Sequence, residues 1–281
     1  MQQAWSYQHA IQHAQSQLNH ESAKLEAEIL LCHLLKISRA QLYTWPEREL
    51  TDQQAKAFFD LVGQRQQGQP IAYLTGQREF WGLNLHVNPN TLIPRADTET
   101  LVDIALHKAA LYSQPELTLL DLGTGSGAIA LALASELPQA EIHAIDYSNA
   151  ALATAQSNAQ QLNLAIQFYQ GSWFEPVNHH KFDIIVSNPP YIESTDPHLS
   201  QGDLRFEPSQ ALASGTDGLD DLRVIISQAQ TYLASKGWLM VEHGYNQALS
   251  VADLFKQSGY QAIELITDLA GQPRVTIGQK P

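Results

Sequence analysis

The chain has 281 residues, 44% of them hydrophobic and 16% charged, so it can bury the core of one large domain or two smaller ones. Its formal net charge of −13 argues against binding to bare nucleic acid, which usually needs a basic face. The single cysteine, Cys32, excludes an intrachain disulfide and a cysteine-rich metal site. The N-terminus has the pattern of neither a secretory signal nor a transit helix, and no stretch approaches the roughly 20 apolar residues of a membrane span. We therefore expect a cytoplasmic monomer with no membrane partner.

Residues 1–75 are predicted to form a small helical domain. The segment ESAKLEAEILLCHLLKIS has Leu25, Ile29 and Cys32 at helical spacing on one apolar stripe. No strand pattern occurs here. Residues 76–96 change character, because aromatic and β-branched residues alternate with polar ones around Gly82, which predicts a hairpin or an extended linker.

From residue 97 to residue 281, strand patterns alternate with helix patterns, which is typical of a mostly parallel sheet with helices on both faces. The predicted strands are TLLDL, EIHAID, IQFYQG, FDIIVSN, GWLMVEHG, YQAIELITD and RVTIGQ. The predicted helices lie near 98–112, 127–137, 148–162, 218–235 and 246–258. The last two strands have no helical pattern between them, so one of them is expected to be antiparallel. We predict an α/β fold with a seven-stranded, Rossmann-like sheet.

A glycine-rich turn, DLGTGSGAIA, follows the first strand of this sheet and opens a helix. Gly123, Gly125 and Gly127 permit a tight turn and a close approach of a ligand to the backbone, and the helix N-terminus presents free N–H groups. Asp146 ends the next strand, 19 residues beyond Gly127, where its carboxylate can accept hydrogen bonds from a ribose diol. These features predict an adenosine-type cofactor across the strand ends.

The turn alone does not identify that cofactor. Gly123-x-Gly125-x-x-Ala128 also satisfies the dinucleotide pattern, and such a turn can occur without any ligand. Asp121 has two interpretations: a cap-like residue, or a carboxylate near a cationic group of the ligand. A sulfonium or amino group would be compatible with it, whereas a pyrophosphate would not.

The fourth strand of the sheet ends in Asn188-Pro189-Pro190-Tyr191, which we call the elbow. Two prolines cannot donate to a sheet ladder, so the strand must end there, beside the crevice in which α/β proteins bind ligands. The Pro189 carbonyl and the Asn188 side-chain oxygen are two acceptors that can hold the two hydrogens of a planar NH2 group, and the Tyr191 ring can lie against that group. The elbow therefore predicts a clamp for an amide or amino-aromatic nitrogen.

Such a nitrogen is a poor nucleophile, since its lone pair is delocalised. Acceptors on its hydrogens favour the geometry of attack, and a reactive electrophile must then lie in line and close to it. The methyl group of S-adenosylmethionine meets this need without a metal ion. The structural alternative is a strand that ends in proline, with Asn188 as a cap and Tyr191 as a packing residue.

These motifs resemble those of the bacterial HemK-type (PrmC) release-factor glutamine methyltransferases, which are class I S-adenosylmethionine-dependent enzymes. The matching segments are DLGTGSGAIA, SNPPYI, GSWFEP, TLIPRADTE, LRFEPSQALASGTDGL and, in the helical domain, LEAEILLCHLLKISRAQLY. Ala96 replaces a usual proline and Ser214 a common glycine. The match covers nearly the whole chain.

The resemblance implies methyl transfer to the side-chain amide N5 of the glutamine in the Gly-Gly-Gln motif of class 1 peptide-chain release factors, with S-adenosyl-L-homocysteine as product. A protein substrate suggests the hypothesis that the helical domain is a docking surface for the release factor; the alternative is that this domain only stabilises the fold. The cofactor contacts that it assigns are Gly123, Thr124, Gly125, Ser126, Gly127, Asp146, Trp173 and Asn188. The elbow residues bind the glutamine, and among them Asn188, Pro189 and Tyr191 are the catalytic residues.

Other residues have two interpretations each. Trp173 is a core aromatic when the resemblance is set aside, and His179-His180 are more often solvated than metal ligands. Glu242 can reach the site, although packing is the commoner role for residues around His243. Arg95, Asp97 and Glu99 either order the cofactor pocket or serve as a surface charge and a helix N-cap, the cap being Asp97 or Thr98.

Four alternative functions remain at this stage. Another protein glutamine, such as one in a ribosomal protein, could be the substrate. An adenine-N6 nucleic-acid methyltransferase shares the NPPY motif but needs a basic groove and a target-recognition insertion, and neither is found. A nicotinamide dehydrogenase leaves the elbow unexplained, and a non-catalytic binding module is the fourth alternative.

Overall fold

The computed structural model describes residues 4–281 and divides into two compact units, one ending at Gly76 and the other spanning Gln77–Pro281. The first unit is helical: α1 (Tyr7–Leu18), α2 (Ala23–Leu35), α3 (Arg39–Thr44), α4 (Asp52–Gln66) and α5 (Ile71–Thr75). Helices α3 and α4 each begin with a capping box, built by Ser38 with Gln41 and by Thr51 with Gln54.

The predicted apolar stripe of α2 is wrong at Leu25, which is 43% exposed. The buried side of the helix includes Ala27, Leu30 and Glu28 instead. A buried carboxylate needs partners, and Glu28 accepts hydrogen bonds from the Arg39 guanidinium. The periodicity of apolar residues could not reveal this polar anchor, which turns the buried face away from Leu25.

The second unit opens with an antiparallel hairpin, β1 (Gln77–Phe80) and β2 (Leu83–His86). Its two-residue turn, Trp81-Gly82, has positive φ angles of 53° and 70°, as a type I′ turn requires. Glu99 accepts a hydrogen bond from the Trp81 backbone N–H at 2.9 Å, so this carboxylate holds the turn in place.

The rest of the second unit is a seven-stranded sheet with helices on both faces, which confirms the predicted α/β class. The strands are β3 (Thr118–Leu122), β4 (Glu141–Asp146), β5 (Gln167–Gln170), β6 (Phe182–Ser187), β7 (Leu233–Glu242), β8 (Gln261–Thr267) and β9 (Pro273–Gln279). The helices are α6 (Glu99–Ala109), α7 (Ala128–Glu136), α8 (Asn149–Leu162), α9 (Asp220–Tyr232) and α10 (Ala248–Gln257).

The strand order is β5-β4-β3-β6-β7-β9-β8. Strand β9 alone runs in the direction opposite to the other six strands. The order therefore reverses between β3 and β6, which places a crevice at their carboxyl ends. Strand β7 begins at Leu233, earlier than predicted, because Leu233 pairs with Phe182 before a register shift.

Each face of the sheet has its own apolar core. Leu119 and Ile184 belong to one cluster, while Leu120 and Ile185 belong to the other, as alternation along a strand requires. Helix α7 is buried from Ala128 to Ala134, since its small residues let it pack closely. No helix among residues 4–281 is long and apolar enough to cross a membrane.

Candidate active site

The glycine turn lies at the carboxyl end of β3 and is held by the neighbouring strand. The backbone N–H groups of Gly123 and Thr124 both donate to the Ile145 carbonyl at 2.9 Å. The Gly125 N–H donates to Asp146 Oδ2 at 2.8 Å. Gly123 and Gly125 have φ angles of 72° and 58°, a region in which any side chain would be strained.

The other members of the turn lie beneath it. The Thr124 hydroxyl donates to Asp121 Oδ2 at 2.7 Å, and the Ser126 carbonyl accepts from Asn158 Nδ2 at 2.9 Å. A Cβ on Gly127 would lie 3.1 Å from the Ala155 Cβ, so this glycine permits close packing against α8. Thr124, Ser126 and Gly127 therefore shape the turn, and none of the three lines the crevice.

Asp121 is buried beneath the same turn. Burial raises the pKa of its carboxyl group to about 7, and the Thr124 hydroxyl opposes this shift. Its Oδ1 atom has no hydrogen-bond partner among the described residues. A cap-like role therefore explains the position of Oδ2, which accepts from Thr124, but it does not explain the burial of Oδ1.

The crevice is a cavity of about 260 Å³, near the lower end of the roughly 300–1,000 Å³ typical of ligand pockets. Six predicted site residues line it: Gly123, Gly125, Asp146, Trp173, Asn188 and Pro190. Sequence reasoning missed the following lining residues: Asn90, Thr91, Leu92, Ile145, Tyr147, Ser148, Ala151, Gly171, Ser172, Pro208, Gln210, Ala211 and Asp221.

Asp146 and Trp173 both follow Gly123 in the sequence, and both lie against the glycine turn. Asp146 accepts from the Gly125 and Ser148 N–H groups, each at 2.8 Å, while burial raises its pKa. The Trp173 ring lies 3.6 Å from the position that a Cβ of Gly123 would occupy. Trp173 is half-buried and borders the cavity, so it is more than a core aromatic.

The elbow extends from β6 into the same cavity, and its amide has a fixed orientation. Asn188 Nδ2 donates to Thr98 Oγ1 at 3.0 Å, which leaves Asn188 Oδ1 free to accept. Pro189 is buried, whereas Pro190 lines the cavity. The Tyr191 hydroxyl donates to Glu242 Oε1 at 3.2 Å, and burial raises the pKa of this tyrosine.

Thr98 and Glu242 support the elbow from behind. Thr98 occupies the N-cap position of α6, as one of the two interpretations expected, but its side chain makes no cap bond. Burial raises the pKa of Glu242 to about 7 despite the opposing hydroxyls of Thr98 and Tyr191. Sequence reasoning considered Thr98 only as a helix cap and left Glu242 between the site and packing, because they lie 90 and 51 residues from their elbow partners.

Arg95 forms an ion pair with the buried carboxylate of Glu207, which also accepts from the Ile93 N–H at 3.1 Å. This pair connects the segment before α6 to the segment after the elbow, next to Pro208 of the cavity wall. Asp97 instead pairs with Arg274 at 3.1 Å. Arg95 is therefore a structural cation of the site and not a free surface charge.

None of the three histidines considered in the sequence, His179, His180 and His243, belongs to a metal-binding cluster of described residues. His243 is fully buried, with Nε2 2.8 Å from the Thr276 hydroxyl and Nδ1 2.9 Å from the Gly244 carbonyl. His179 and His180 are exposed. Within residues 4–281, no cluster of histidine, cysteine or acidic residues has the geometry of a metal site.

Comparison with known proteins identifies both units. Residues 9–76 match the family model described as the PrmC N-terminal domain, and residues 102–209 match the methyltransferase small domain. The release factor glutamine methyltransferase of Vibrio cholerae is 50% identical over 261 residues, which is 92% of this chain and 90% of that protein. The Escherichia coli K12 protein of the same name is 48% identical over 275 residues, covering 97% and 98% of the two chains.

Solved structures support the fold. A methyltransferase from Pyrococcus furiosus superposes with a TM-score of 0.53 at 16% identity, over 71% of this chain and 89% of that one. The 16S rRNA N2 G1207 methyltransferase of Thermus thermophilus gives the same TM-score at 19% identity, over 73% and 50% of the two chains. At such identities the likeness concerns the fold alone. The extent and identity of the sequence matches show more: this chain belongs to the release factor glutamine methyltransferase family.

Proposed function

We propose that this protein transfers a methyl group from S-adenosylmethionine to the N5 side-chain amide of the Gly-Gly-Gln glutamine in class 1 peptide-chain release factors. The observation that supports it best is the shared cavity, which Gly123, Gly125 and Asp146 line together with Asn188 and Pro190. The proposed cofactor site and the proposed amide clamp thus share one space, in a chain of the release factor glutamine methyltransferase family. The protein would act on this substrate in the cytoplasm, as a monomer and without a metal ion.

The cavity residues fit S-adenosylmethionine. No atom lies within 4 Å of the position of a Cβ on Gly125, so a ligand can approach the backbone there. Asp146 uses its two oxygens for one backbone N–H each, and a carboxylate has further acceptor capacity for ribose hydroxyls. Trp173 offers an aromatic face beside Gly123 for the adenine, and the buried Asp121 adds an acidic group beneath the turn.

The elbow would hold the glutamine. Because the Asn188 Nδ2 group is engaged by Thr98, its Oδ1 atom is the part of the amide that remains for a substrate N–H. The Pro189 carbonyl would accept the second hydrogen, and the Tyr191 ring would lie against the planar amide. Two acceptors on one nitrogen increase its electron density and favour the pyramidal geometry of attack.

Bound S-adenosylmethionine supplies an electrophilic methyl group. The residues of this chain would hold the glutamine nitrogen in line with that group and exclude competing water. The nitrogen lone pair forms the new bond to carbon as the carbon–sulfur bond breaks, and the nitrogen then loses one proton to solvent. No side chain needs to form a covalent bond.

The helical unit ending at Gly76 would provide a docking surface for the folded release factor. A truncated chain that begins at Gln77 should keep cofactor affinity and bind the release factor more weakly. Undiminished affinity of that fragment for the release factor would refute the docking role.

The decisive experiment is to incubate the purified protein with S-adenosylmethionine and an unmethylated release factor, and then to map the peptides by mass spectrometry. We expect a single added methyl group on the Gly-Gly-Gln glutamine. If the cofactor binds but that glutamine stays unmodified, the proposed substrate is wrong, and ribosomal proteins and then DNA become the substrates to test.

A further inference from the structure

Glu242 is a buried carboxylate behind the elbow that the proposed chemistry does not use. It is the last residue of β7 and is only 1% exposed. Its Oε1 atom accepts from the Tyr191 hydroxyl at 3.2 Å, while Oε2 has no hydrogen-bond partner among the described residues. A buried acid with spare acceptor capacity is costly, so its position calls for a physical reason.

The surroundings of Thr98 give that reason. Its hydroxyl oxygen accepts from Asn188 Nδ2, so its single hydrogen must point elsewhere. The same hydroxyl lowers the pKa of Glu242, as a donor that faces a carboxyl group does. An ionised carboxylate can only accept, and Glu242 Oε2 has no donor among the described residues, so the Thr98 hydrogen would be directed toward it. Thr98 must then accept from Asn188, which turns the Asn188 oxygen toward the cavity.

Tyr191 depends on Glu242 in a more limited way. Its backbone is held independently, because its N–H donates to the Leu212 carbonyl at 3.2 Å and its carbonyl accepts from Gln247 Nε2 at 2.9 Å. A Cβ on Gly218 would lie 2.3 Å from that carbonyl, so the backbone path is also closely packed. Loss of Glu242 would free the hydroxyl group of the Tyr191 ring, while the backbone of the elbow would keep its conformation.

We propose that Glu242 is a positioning residue, which acts through Thr98 and Tyr191 to fix the direction in which Asn188 and the tyrosine ring face the substrate amide. This inference rests on the proposed function. Glu242 is not a catalytic residue in this scheme, since it contacts neither substrate nor cofactor.

The ionisation of Glu242 provides a readout that a purely structural role would not give. Burial, with a smaller contribution from Asp97, raises its pKa to about 7 against the opposing effects of Thr98, Tyr191 and Arg274. The ionised form is the one that can only accept. The turnover number should therefore rise with pH through about 7 and level off above it.

The test compares Glu242→Gln with the unaltered protein. Glutamine keeps the size of the side chain but adds an NH2 donor, so it no longer fixes the direction of the Thr98 hydrogen bond. We expect kcat at pH 8 to fall about tenfold, the equivalent of one hydrogen bond, with the dissociation constant of S-adenosylmethionine within about twofold. The pH inflection near 7 should disappear.

Two further variants make the test specific. In a Thr98→Val background, Glu242→Gln should cause little additional loss, because both changes act on the same Asn188 orientation. Glu264→Gln, on β8 and paired with Lys108, is the matched control and should leave kcat unchanged. A kcat within about twofold of the unaltered protein, a persistent inflection, or losses that multiply in the double variant would overturn the inference. Methylation by the unaltered protein in the same assay separates these outcomes from a failure of the proposed function.

Discussion

Replacing Thr98 with valine tests whether the orientation of one amide controls the reaction. Thr98 is only 4% exposed, and valine has nearly its shape, so the change removes a hydroxyl group without opening a cavity. The Asn188 NH2 group then loses its acceptor at 3.0 Å. The amide can recover by turning over, which presents its NH2 group to the substrate NH2 group and removes an acceptor from the clamp.

The size of the effect follows from that single bond. A neutral hydrogen bond contributes about 1 kcal/mol to stability or orientation, which corresponds to about a five- to tenfold loss in kcat. Complete removal of the acceptor in Asn188→Ala should cost more, about 2–4 kcal/mol, by analogy with other donors and acceptors that act in a transition state. Thr98→Val should therefore lie between the unaltered protein and Asn188→Ala.

The assay measures S-adenosyl-L-homocysteine release at saturating release factor, together with the dissociation constant of S-adenosylmethionine by calorimetry. Thr154→Val is a matched control, because the Thr154 hydroxyl accepts from Asn88 Nδ2 at 2.9 Å in the same kind of bond, and neither of these residues lines the cavity. The reasoning is refuted if both valine variants keep kcat within twofold of the unaltered protein, or if both lose it equally.

Three further predictions concern the elbow and the turn. Asn188→Ala should lower kcat about 30- to 900-fold and change cofactor affinity much less; a kcat close to that of the unaltered protein would argue against the clamp. Tyr191→Phe should retain more kcat than Tyr191→Ala, since the ring remains, and equal kcat values would exclude a role for the ring. For Asp121, whose pKa is raised to about 7, the folded state keeps a proton that the unfolded state has lost, so this group lowers stability as pH rises from about 4 to 7. The unfolding free energies of Asp121→Asn and of the unaltered protein can be compared by urea denaturation. Their difference should shift by roughly 4 kcal/mol in favour of the variant between pH 4 and pH 8. A constant difference across this range would contradict the buried, protonated state.

Much of the site was predictable because its chemistry is local in sequence. The glycine turn and the elbow are short runs whose geometry is set by glycine and proline themselves, so Gly125 and Asn188 could be placed at strand ends before the fold was known. The alternation of patterns then brought those strand ends to one edge of the sheet. A helical pattern missing before the last strand was enough to predict that one of the last two strands is antiparallel, and the structure shows that this strand is β9.

The supporting contacts were not predictable, because they join residues distant in sequence. Nothing near Thr98 indicates that its hydroxyl meets Asn188, and a threonine before a helix is usually interpreted as a cap. Glu207 looks like an ordinary surface acid until the fold buries it against Arg95. Leu25 shows the same limit in the helical unit, where a buried Glu28 displaced the expected apolar face.

The double use of Asp146 has a consequence for the thermodynamics of ligand binding. This carboxylate bonds the Gly125 and Ser148 N–H groups in the protein alone, so the turn is already rigid when a ligand arrives. The conformational entropy of the turn is then lost during folding. Its loss therefore does not weaken ligand binding. Substituting Asp146 would remove the proposed ribose acceptor and also loosen the turn, so the measured change in affinity should be larger than that of one lost hydrogen bond. Amide hydrogen exchange at Gly125 would reveal the second part, as faster exchange in the variant even without ligand.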